Sequence, residues 1–200
     1  MVYDTAFTPF EWHNNPGVPE QPGGPGVAPT RVVNNVFVAS AQNGWYAEMI
    51  SRNQVLKWDG YVPAEFSHNV VYLDAKRASS RHIMLGGVPC GKNEQPGPNC
   101  TASYLDSFKE AKFNNNVYWN SSGTITPSFP GASKAACAYK TNYDNCATFA
   151  EWQESGHDNA SLAADPFFKD PAKNDYTITN AAVLALGVVP LDLSKVGPDW

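Results

Sequence analysis

The chain contains 200 residues with a formal net charge of −5, and only 16% of its residues are charged. This length suits one domain or a little more with a substantial core, while the lack of a basic stripe or arm argues against nucleic acid as a partner. No apolar run approaches the roughly 20 residues that cross a bilayer. The aromatic fraction of 12%, with many Asn, Ser and Thr residues, suits a protein that acts on neutral polar surfaces such as glycans, and suits an ordinary all-β extracellular domain equally well.

Short strands separated by turns are predicted for the first part of the chain. Residues 1–12 are predicted to be extended, and the Pro- and Gly-rich residues 16–29 form a loop that can be neither helix nor paired strand. Runs of β-branched and aromatic residues then predict strands at 30–39, 45–50, 54–58, 65–73 and 83–85.

A four-residue pattern occurs three times in these and the following strands. The copies read Asn-Asn-Val-Phe, His-Asn-Val-Val and Asn-Asn-Val-Tyr, at residues 34–37, 68–71 and 115–118. A strand that returns with the same Asn is typical of stacked parallel β-coils, the repeating unit of a solenoid. Three unrelated half-buried strands that each begin with Asn are the alternative.

The second residue of each copy is Asn, so stacking predicts a ladder of amides. In stacked identical strands one side-chain amide can bond to the next, and we expect Asn35, Asn69 and Asn116 to lie in or beside one column. His68 stands where the other two copies have Asn. We expect this histidine to be a hydrogen-bonded structural residue rather than a base.

From residue 148 onward the sequence predicts other elements. Thr148 and Glu151 match the capping-box pattern, which predicts one short helix over 148–155, and Gly156 ends it. A late strand is predicted at 175–178.

The apolar residues 181–186 are expected to pack over the open end of the coils, because an exposed terminal coil is a sticky edge. The sequence thus divides into coils with long loops over 1–147, including the loop at 16–29, and a C-terminal helix, final strand and cap over 148–200.

Four cysteines fall into two local pairs, Cys90 with Cys100 and Cys137 with Cys146, each bracketing a polar loop. We predict a disulfide within each pair and an oxidising, extracellular location. A metal site is the alternative, but neither spacing is Cys-x-x-Cys and the four histidines have no ligand spacing. No metal or cofactor is predicted, since a Ca²⁺ site needs clustered Asp residues that the spacing does not supply.

Three N-glycosylation sequons, beginning at Asn99, Asn120 and Asn159, agree with an extracellular location. Asn120 directly follows a predicted strand, so we expect it at the surface and expect carbohydrate there first. The N-terminal residues 1–10 lack the basic start, apolar run and cleavage site of a signal peptide. We therefore expect the chain to be a piece of a longer or processed protein.

Several segments resemble one family of repeat proteins. Similarity to the C-terminal end of bacterial-type right-handed parallel β-helix repeat proteins runs through residues 13–17, 34–37, 68–72, 149–157, 161–171, 175–178 and 191–198. Many of these proteins are carbohydrate-active, and they include fucosidase- and xylanase-like glycoside hydrolases. The resemblance implies an all-β fold, a right-handed parallel β-helix with one short helix and a C-terminal cap. It also implies upstream coils, supplied by a longer chain or by another protein chain at the N-terminal end.

The catalytic residues of such hydrolases are only partly matched. The family often carries Arg-x-Glu where this chain reads Arg52-Asn53-Gln54, and an amide cannot act as general acid or nucleophile. The resemblance therefore does not predict catalysis by this chain alone. Glycoside cleavage usually needs two carboxyl groups. The candidates are Asp59 and Glu48, with Glu65 and Asp74 also lying beside the repeat strands. Asp59, which precedes a glycine, equally fits a turn, and Asp74 a turn cap.

The long excursion between the first two repeat strands is expected to hold the glycan contacts. Aromatic rings stack on the apolar face of a sugar while polar neighbours bond its hydroxyl groups. We predict a carbohydrate-binding site formed by Trp58, Asp59, Tyr61, Arg52 and Gln54. Alternatively, Trp58 and Tyr61 merely seal the side of a coil.

Two functions follow from the sequence as open alternatives. The first is an extracellular, carbohydrate-interacting protein, the C-terminal part of a polysaccharide-degrading, glycoside hydrolase-like protein, with a polysaccharide or other glycan as its partner. The second is a non-catalytic, glycosylated surface or matrix protein that uses its coils as an assembly module. Neither alternative includes a nucleic-acid partner or a membrane span.

Overall fold

The computed structural model describes residues 2–3, 10–13, 31–40, 48–53, 65–74, 83–87, 112–123, 129–130, 146–173 and 175–189. The strands within these ranges are β1 (Val2–Tyr3), β2 (Phe10–His13), β3 (Arg31–Val33), β4 (Val36–Ser40), β5 (Glu48–Asn53), β6 (Glu65–Ser67), β7 (Val70–Asp74), β8 (Ile83–Gly87), β9 (Lys112–Asn114), β10 (Val117–Asn120), β11 (Phe129–Pro130), β12 (Cys146–Ala147), β13 (Leu162–Ala163), β14 (Phe168–Asp170) and β15 (Asp175–Ile178). The helices are α1 (Phe149–Glu154) and α2 (Ala181–Ala185), with a 3₁₀ turn at Pro171–Lys173.

Most strands belong to three parallel sheets. The largest has five strands in the order β1-β4-β7-β10-β13, and the other two have the orders β2-β5-β8 and β3-β6-β9. Two further pairs, β11 with β12 and β14 with β15, are antiparallel. Strands from successive copies of the repeated pattern are thus direct neighbours and run in the same direction.

The repeated pattern sets the register between these neighbours. Val36, Val70 and Val117 stand opposite one another in the five-stranded sheet. In the β3-β6-β9 sheet the corresponding row is Val32, Phe66 and Phe113. Equivalent residues of the three copies therefore stack, as the pattern predicts.

A left-handed residue separates the two strands of each copy. Asn34, His68 and Asn115 have φ angles of 58°, 57° and 55°. Asn and His are among the non-glycine residues that tolerate this conformation best. The chain therefore turns at the same place in every copy, passing from the three-stranded β3-β6-β9 sheet into the five-stranded sheet.

The expected fold class, an all-β right-handed parallel β-helix, is wrong. The structure is a small mixed α/β arrangement in which helices accompany the parallel sheets, and no closed coil of a solenoid is seen in the described ranges. The physical reason is that both faces of the five-stranded sheet are covered, which is the usual condition of parallel strands flanked by helices. The Asn repeat specifies which strands pair, and that pairing does not require a closed coil.

One face of the five-stranded sheet packs against the C-terminal elements. Its valines form a buried cluster with side chains of β15, α2 and the residues after α2, namely Val36, Val38, Val70, Val117, Tyr176, Ile178, Val183 and Val188. Apolar contact of this kind is the main stabilising term of a core. The segment 181–186 was expected over the open end of the coils. Its Val183 is instead fully buried against the face of the five-stranded sheet.

The other face, on which Phe37 lies, meets an aromatic column that continues into the β3-β6-β9 sheet. Phe37 packs on Phe66 with ring centroids 6.0 Å apart, and Phe66 packs on Phe113 at 5.7 Å. Phe113 in turn meets Trp152 of α1 edge-on at 5.6 Å. Helix α1 is therefore fixed to the end of the β3-β6-β9 sheet by its buried tryptophan.

The predicted capping box is confirmed. The Thr148 hydroxyl accepts the Glu151 backbone N–H at 3.2 Å, and the Glu151 carboxylate accepts the Thr148 N–H at 2.7 Å. Gly156, with φ 96°, follows the last turn of α1, a conformation that glycine adopts at little cost. The late strand is also found where it was predicted, as β15. No helix in the described part of the chain is long and apolar enough to cross a membrane.

Candidate functional site

An amide ladder fixes the strands that carry the site. Asn69 Oδ1 accepts the Asn35 backbone N–H at 2.9 Å and the Asn35 Nδ2 at 3.2 Å. Asn116 Oδ1 accepts the same two groups of Asn69, at 2.9 and 3.3 Å. The predicted column of Asn35, Asn69 and Asn116 is therefore confirmed.

The ladder also joins neighbouring sheets. Asn69 Nδ2 donates to the Val32 carbonyl at 2.8 Å, and Asn116 Nδ2 donates to the Phe66 carbonyl at 2.9 Å. Asn69 and Asn116 are completely buried, and buried amides are stabilising only when their polar atoms have partners. The corner of each repeat, where the left-handed residue turns the chain between its two strands, is therefore rigid.

Asp158 ends the ladder. It is completely buried and has a φ of 51°. Its Oδ1 accepts from Asn116 Nδ2 and from the Ser161 hydroxyl, and its Oδ2 accepts from the Tyr118 hydroxyl and from Trp152 Nε1. The carboxylate thereby connects the sheet, helix α1 and the turn that follows the helix.

This connection places His157 over the aromatic column. Its imidazole stacks on the Trp152 indole with centroids 4.2 Å apart and an interplanar angle of 20°, and it meets the Phe113 ring edge-on at 5.9 Å. Burial lowers the pKa of His157 below its usual 6.5, and the charge of Asp158 opposes this shift. The imidazole is therefore neutral at pH 7.

A surface groove of about 530 Å³ lies beside His157. It is lined by Glu65 and Ser67 of β6, by residues 112–114 of β9, by the corner residues His68 and Asn115, and by residues 155–157 after α1. We call it the β6–β9 groove. Its floor is a pair of parallel strands held in register, so its lining groups keep fixed positions.

Glu65 is the carboxylate of the groove and is engaged on both oxygens. Arg31 Nε donates to Oε2 at 2.7 Å, and the Ser67 hydroxyl donates to Oε1 at 2.8 Å. These hydrogen bonds, with a smaller contribution from the charges of Arg31 and Lys112, lower the pKa of Glu65. Glu65 is therefore ionised, and its negative charge is balanced by Arg31.

The corner residues form one wall of the groove. Asn115 Nδ2 lies 3.3 Å from His68 Nε2, so the amide donates to the ring when the ring proton is on Nδ1. A Cβ placed on Gly187 would lie 3.4 Å from His68 Cδ2, so the segment after α2 packs on this ring. His68 is thus a hydrogen-bonded, packed residue, as the sequence predicts.

Most of the predicted carbohydrate site falls outside the described ranges. Gln54, Trp58, Asp59 and Tyr61 all lie there. Arg52 is placed by its backbone in β5, opposite Trp12 and Gly87 of the neighbouring strands. The grouping of these residues into a carbohydrate site therefore stays a prediction.

The candidate catalytic carboxylates are likewise not brought together among the described residues. Asp59 lies outside the described residues, and Glu48 is placed by its backbone at the start of β5, opposite Ile83. Asp74 ends β7 and accepts the Ser121 hydroxyl at 3.3 Å. Glu65 is the candidate that the structure places in the groove, where its two oxygens already have partners.

Two of the three sequons can be located. Asn120 is 1% exposed and its Oδ1 accepts the Ser122 N–H at 2.9 Å, so its expected place at the surface is wrong. The reason is that Asn120 lies on the same face of β10 as the fully buried Tyr118, two residues earlier. Asn159 is exposed, and Asn99 is outside the described ranges.

The two predicted disulfides fall largely outside the described ranges. Cys90, Cys100 and Cys137 lie outside them, and Cys146 is placed by its backbone in β12. Within the same part of the chain no group of three or more His, Cys, Asp or Glu side chains is arranged to hold a metal ion.

The sequence did not predict the β6–β9 groove or the buried Asp158 carboxylate with its four hydrogen bonds. A signal for the groove existed: β9 alternates exposed Lys112, buried Phe113 and exposed Asn114, which is the pattern of a strand with one free face. Asp158 gave no comparable signal, because its partner Asn116 is 42 residues away.

No protein-family model, curated protein or solved structure matches this chain significantly.

Proposed function

We propose that the protein is an extracellular glycan-binding protein whose β6–β9 groove is the binding site. The observation that carries this proposal is the composition of the groove. Hydroxyl, amide, imidazole and charged groups line one rigid depression next to the partly exposed His157 ring and the Phe113 ring below it.

This combination suits a sugar. A sugar ring presents C–H groups on its faces and hydroxyl groups at its edges, so it needs a flat ring and several polar groups around it. His157 supplies the ring, and Asn114 and Lys112 supply polar groups from the exposed face of β9. The resemblance of the tail sequence to carbohydrate-active proteins favours the same ligand class.

Binding, rather than hydrolysis, is the activity that these contacts support. Hydrolysis usually needs a pair of carboxyl groups on either side of the bond to be cleaved. The carboxylate in the groove lining is Glu65, and it is occupied by Arg31 and Ser67. The extracellular location is part of the proposal and is favoured by the exposed sequon at Asn159.

Blocking the groove tests the proposal. Ser155 is an exposed residue of the groove wall, and Ser155→Trp would fill part of the depression. We expect the wild-type chain to bind a subset of a glycan array and Ser155→Trp to lose at least tenfold in affinity for the same glycans.

The matched control is Ala182→Trp, an exposed substitution on α2 that is outside the groove lining. It should bind like the wild type and melt within a few degrees of it, because exposed substitutions change stability little. Ser155→Trp also loses the hydrogen bond that Ser155 Oγ donates to the Trp152 carbonyl at 2.6 Å, so it should melt a few degrees lower while staying folded. A wild-type chain that binds no glycan, or equal binding by Ser155→Trp, would contradict the proposal.

A further inference from the structure

We propose that the glycan held in the β6–β9 groove is anionic, and that its carboxylate or sulfate group pairs with the ammonium group of Lys112. This inference rests on the proposed function and specifies the class of ligand. The anionic class follows from comparing the charged side chains of the groove that have an ion-pair partner with the one that has none in the described part of the chain.

A row of charges across the β3-β6-β9 sheet alternates in sign, and its last two members line the groove. Arg31, Glu65 and Lys112 stand opposite one another in β3, β6 and β9. Arg31 is bonded to Glu65 at 2.7 Å, so these two charges cancel. Lys112 remains as the third member of the row.

Lys112 is open to a ligand. Its side chain is exposed at the start of β9, and it makes no ion pair with any residue in the described ranges. Glu65 cannot turn toward it without giving up Arg31 or Ser67, since each carboxylate oxygen already accepts a hydrogen bond. Lys112 acts on Glu65 through its charge but forms no ion pair with it. Among the described lining residues, the charge that lacks an ion-pair partner is therefore positive.

The neutral groups near Lys112 also favour an acceptor-rich ligand. Asn114 Oδ1 accepts the Ala160 N–H at 2.9 Å, which leaves the donor Nδ2 as its other polar atom. A carboxylate or sulfate offers several acceptor oxygens and no donor. A lysine ammonium with amide donors beside it is complementary to such a group.

The net charge of the whole chain is opposite in sign to the charge of Lys112, and this difference bears on how an anion would be held. The whole chain carries −5, so its long-range field repels anions, and a short-range positive group is needed to hold one. The contact would be solvent-exposed and therefore sensitive to salt. Affinity for an anionic glycan should fall as the NaCl concentration rises from 50 to 300 mM.

The test uses hexasaccharides of glucan, xylan and galactan backbones, each presented in neutral, carboxylated and sulfated form. We expect the wild-type chain to prefer the carboxylated or the sulfated form, and a preference for one of them identifies the group. Lys112→Met keeps the apolar stem of the side chain and should weaken that binding about five- to tenfold. Lys112→Glu should abolish it.

Lys169→Met is the matched control, because Lys169 is an exposed lysine that pairs with Asp175 outside the groove. It should bind like the wild type. Equal binding of neutral and charged forms, unaffected by Lys112→Met, would overturn the anionic ligand while leaving glycan binding intact. Absence of binding to every form would overturn both proposals.

Discussion

Asn69 gives two hydrogen bonds to a single atom of Asn116, its Oδ1: the backbone N–H at 2.9 Å and the side-chain Nδ2 at 3.3 Å. On the other side, Asn69 Oδ1 accepts the corresponding two groups of Asn35. Asn69 is therefore the middle member of the ladder. Its amide is needed by the strand before it and by the strand after it.

Replacement of Asn69 by Ala should destabilise the protein by about 2–4 kcal/mol, since several buried polar groups lose their partner at once. Among them are the Val32 carbonyl and the Asn35 N–H. Urea denaturation followed by circular dichroism gives the free energy of unfolding. Asn159→Ala, at an exposed position, serves as the control and should change it by less than about 0.5 kcal/mol. Equal stability of the two variants would show that the ladder contributes nothing.

Asp158→Asn should cost about 3 kcal/mol although it changes only one atom of the side chain. Asp158 accepts four hydrogen bonds, and an Asn turns one of its two acceptors into a donor that faces another donor. The comparison variant is Asp170→Asn, whose partner Lys173 is a surface residue and whose loss should matter little. An unchanged melting temperature in Asp158→Asn would show that the hydrogen bonds of Asp158 do not stabilise the fold.

Alkaline pH should destabilise the protein through Tyr118. Burial, and then the nearby Asp158 charge, raise the pKa of this phenol well above its usual 10. Above pH 10 the unfolded chain loses the proton while the folded protein keeps it. The free energy of unfolding therefore falls as pH rises, by at most about 1.4 kcal/mol per pH unit, until the folded pKa is reached.

The measurement for Tyr118 is a series of urea denaturations between pH 8 and 11. Tyr118→Phe should be less stable than the wild type at pH 8 by about 1 kcal/mol, because its bond to Asp158 is gone. Its stability should then decline less steeply above pH 10. Parallel pH profiles for the two proteins would mean that another group is responsible.

Acidic pH should destabilise the protein through His157. Its pKa is lowered mainly by burial, so below pH 6.5 the unfolded chain binds a proton that the folded protein does not yet bind. The stabilising contribution is complete above pH 6.5 and is lost as pH falls through the window beneath it. The free energy of unfolding at pH 7.5 and 5.5 should differ less in His157→Gln than in the wild type. A steeper dependence in the variant would exclude this account.

The register of the strands could be predicted from the sequence, but the segments that cover the two faces of the five-stranded sheet could not. The column of Asn35, Asn69 and Asn116 could be predicted because the three copies are aligned by local pattern alone. The covering of both faces could not, because it depends on contacts between the strands and distant segments such as α2. The run Val70-Val71-Tyr72-Leu73 carries a hint of it, since a strand with one free face would alternate with polar residues.

The β6–β9 groove could not be predicted from the sequence for a related reason. Phe113 and His157 are 44 positions apart by number, and only the folded chain brings their rings to 5.9 Å. By contrast, α1 was predicted correctly because Thr148 and Glu151 signal a helix start within four residues. Elements set by neighbours in sequence could be predicted, and the site set by distant residues could not.

The end of the ladder has a consequence for self-association. The Asn116 backbone N–H, which would otherwise seek an amide oxygen on a further strand, donates instead to the Ser161 hydroxyl at 2.7 Å. Beyond it lies the carboxylate of Asp158, which accepts hydrogen bonds but cannot pass one on. An amide ladder can propagate from chain to chain only where it ends in an open amide. Among the described residues, Ser161 and Asp158 therefore occupy the end of the ladder, at the place where a further amide would otherwise bond.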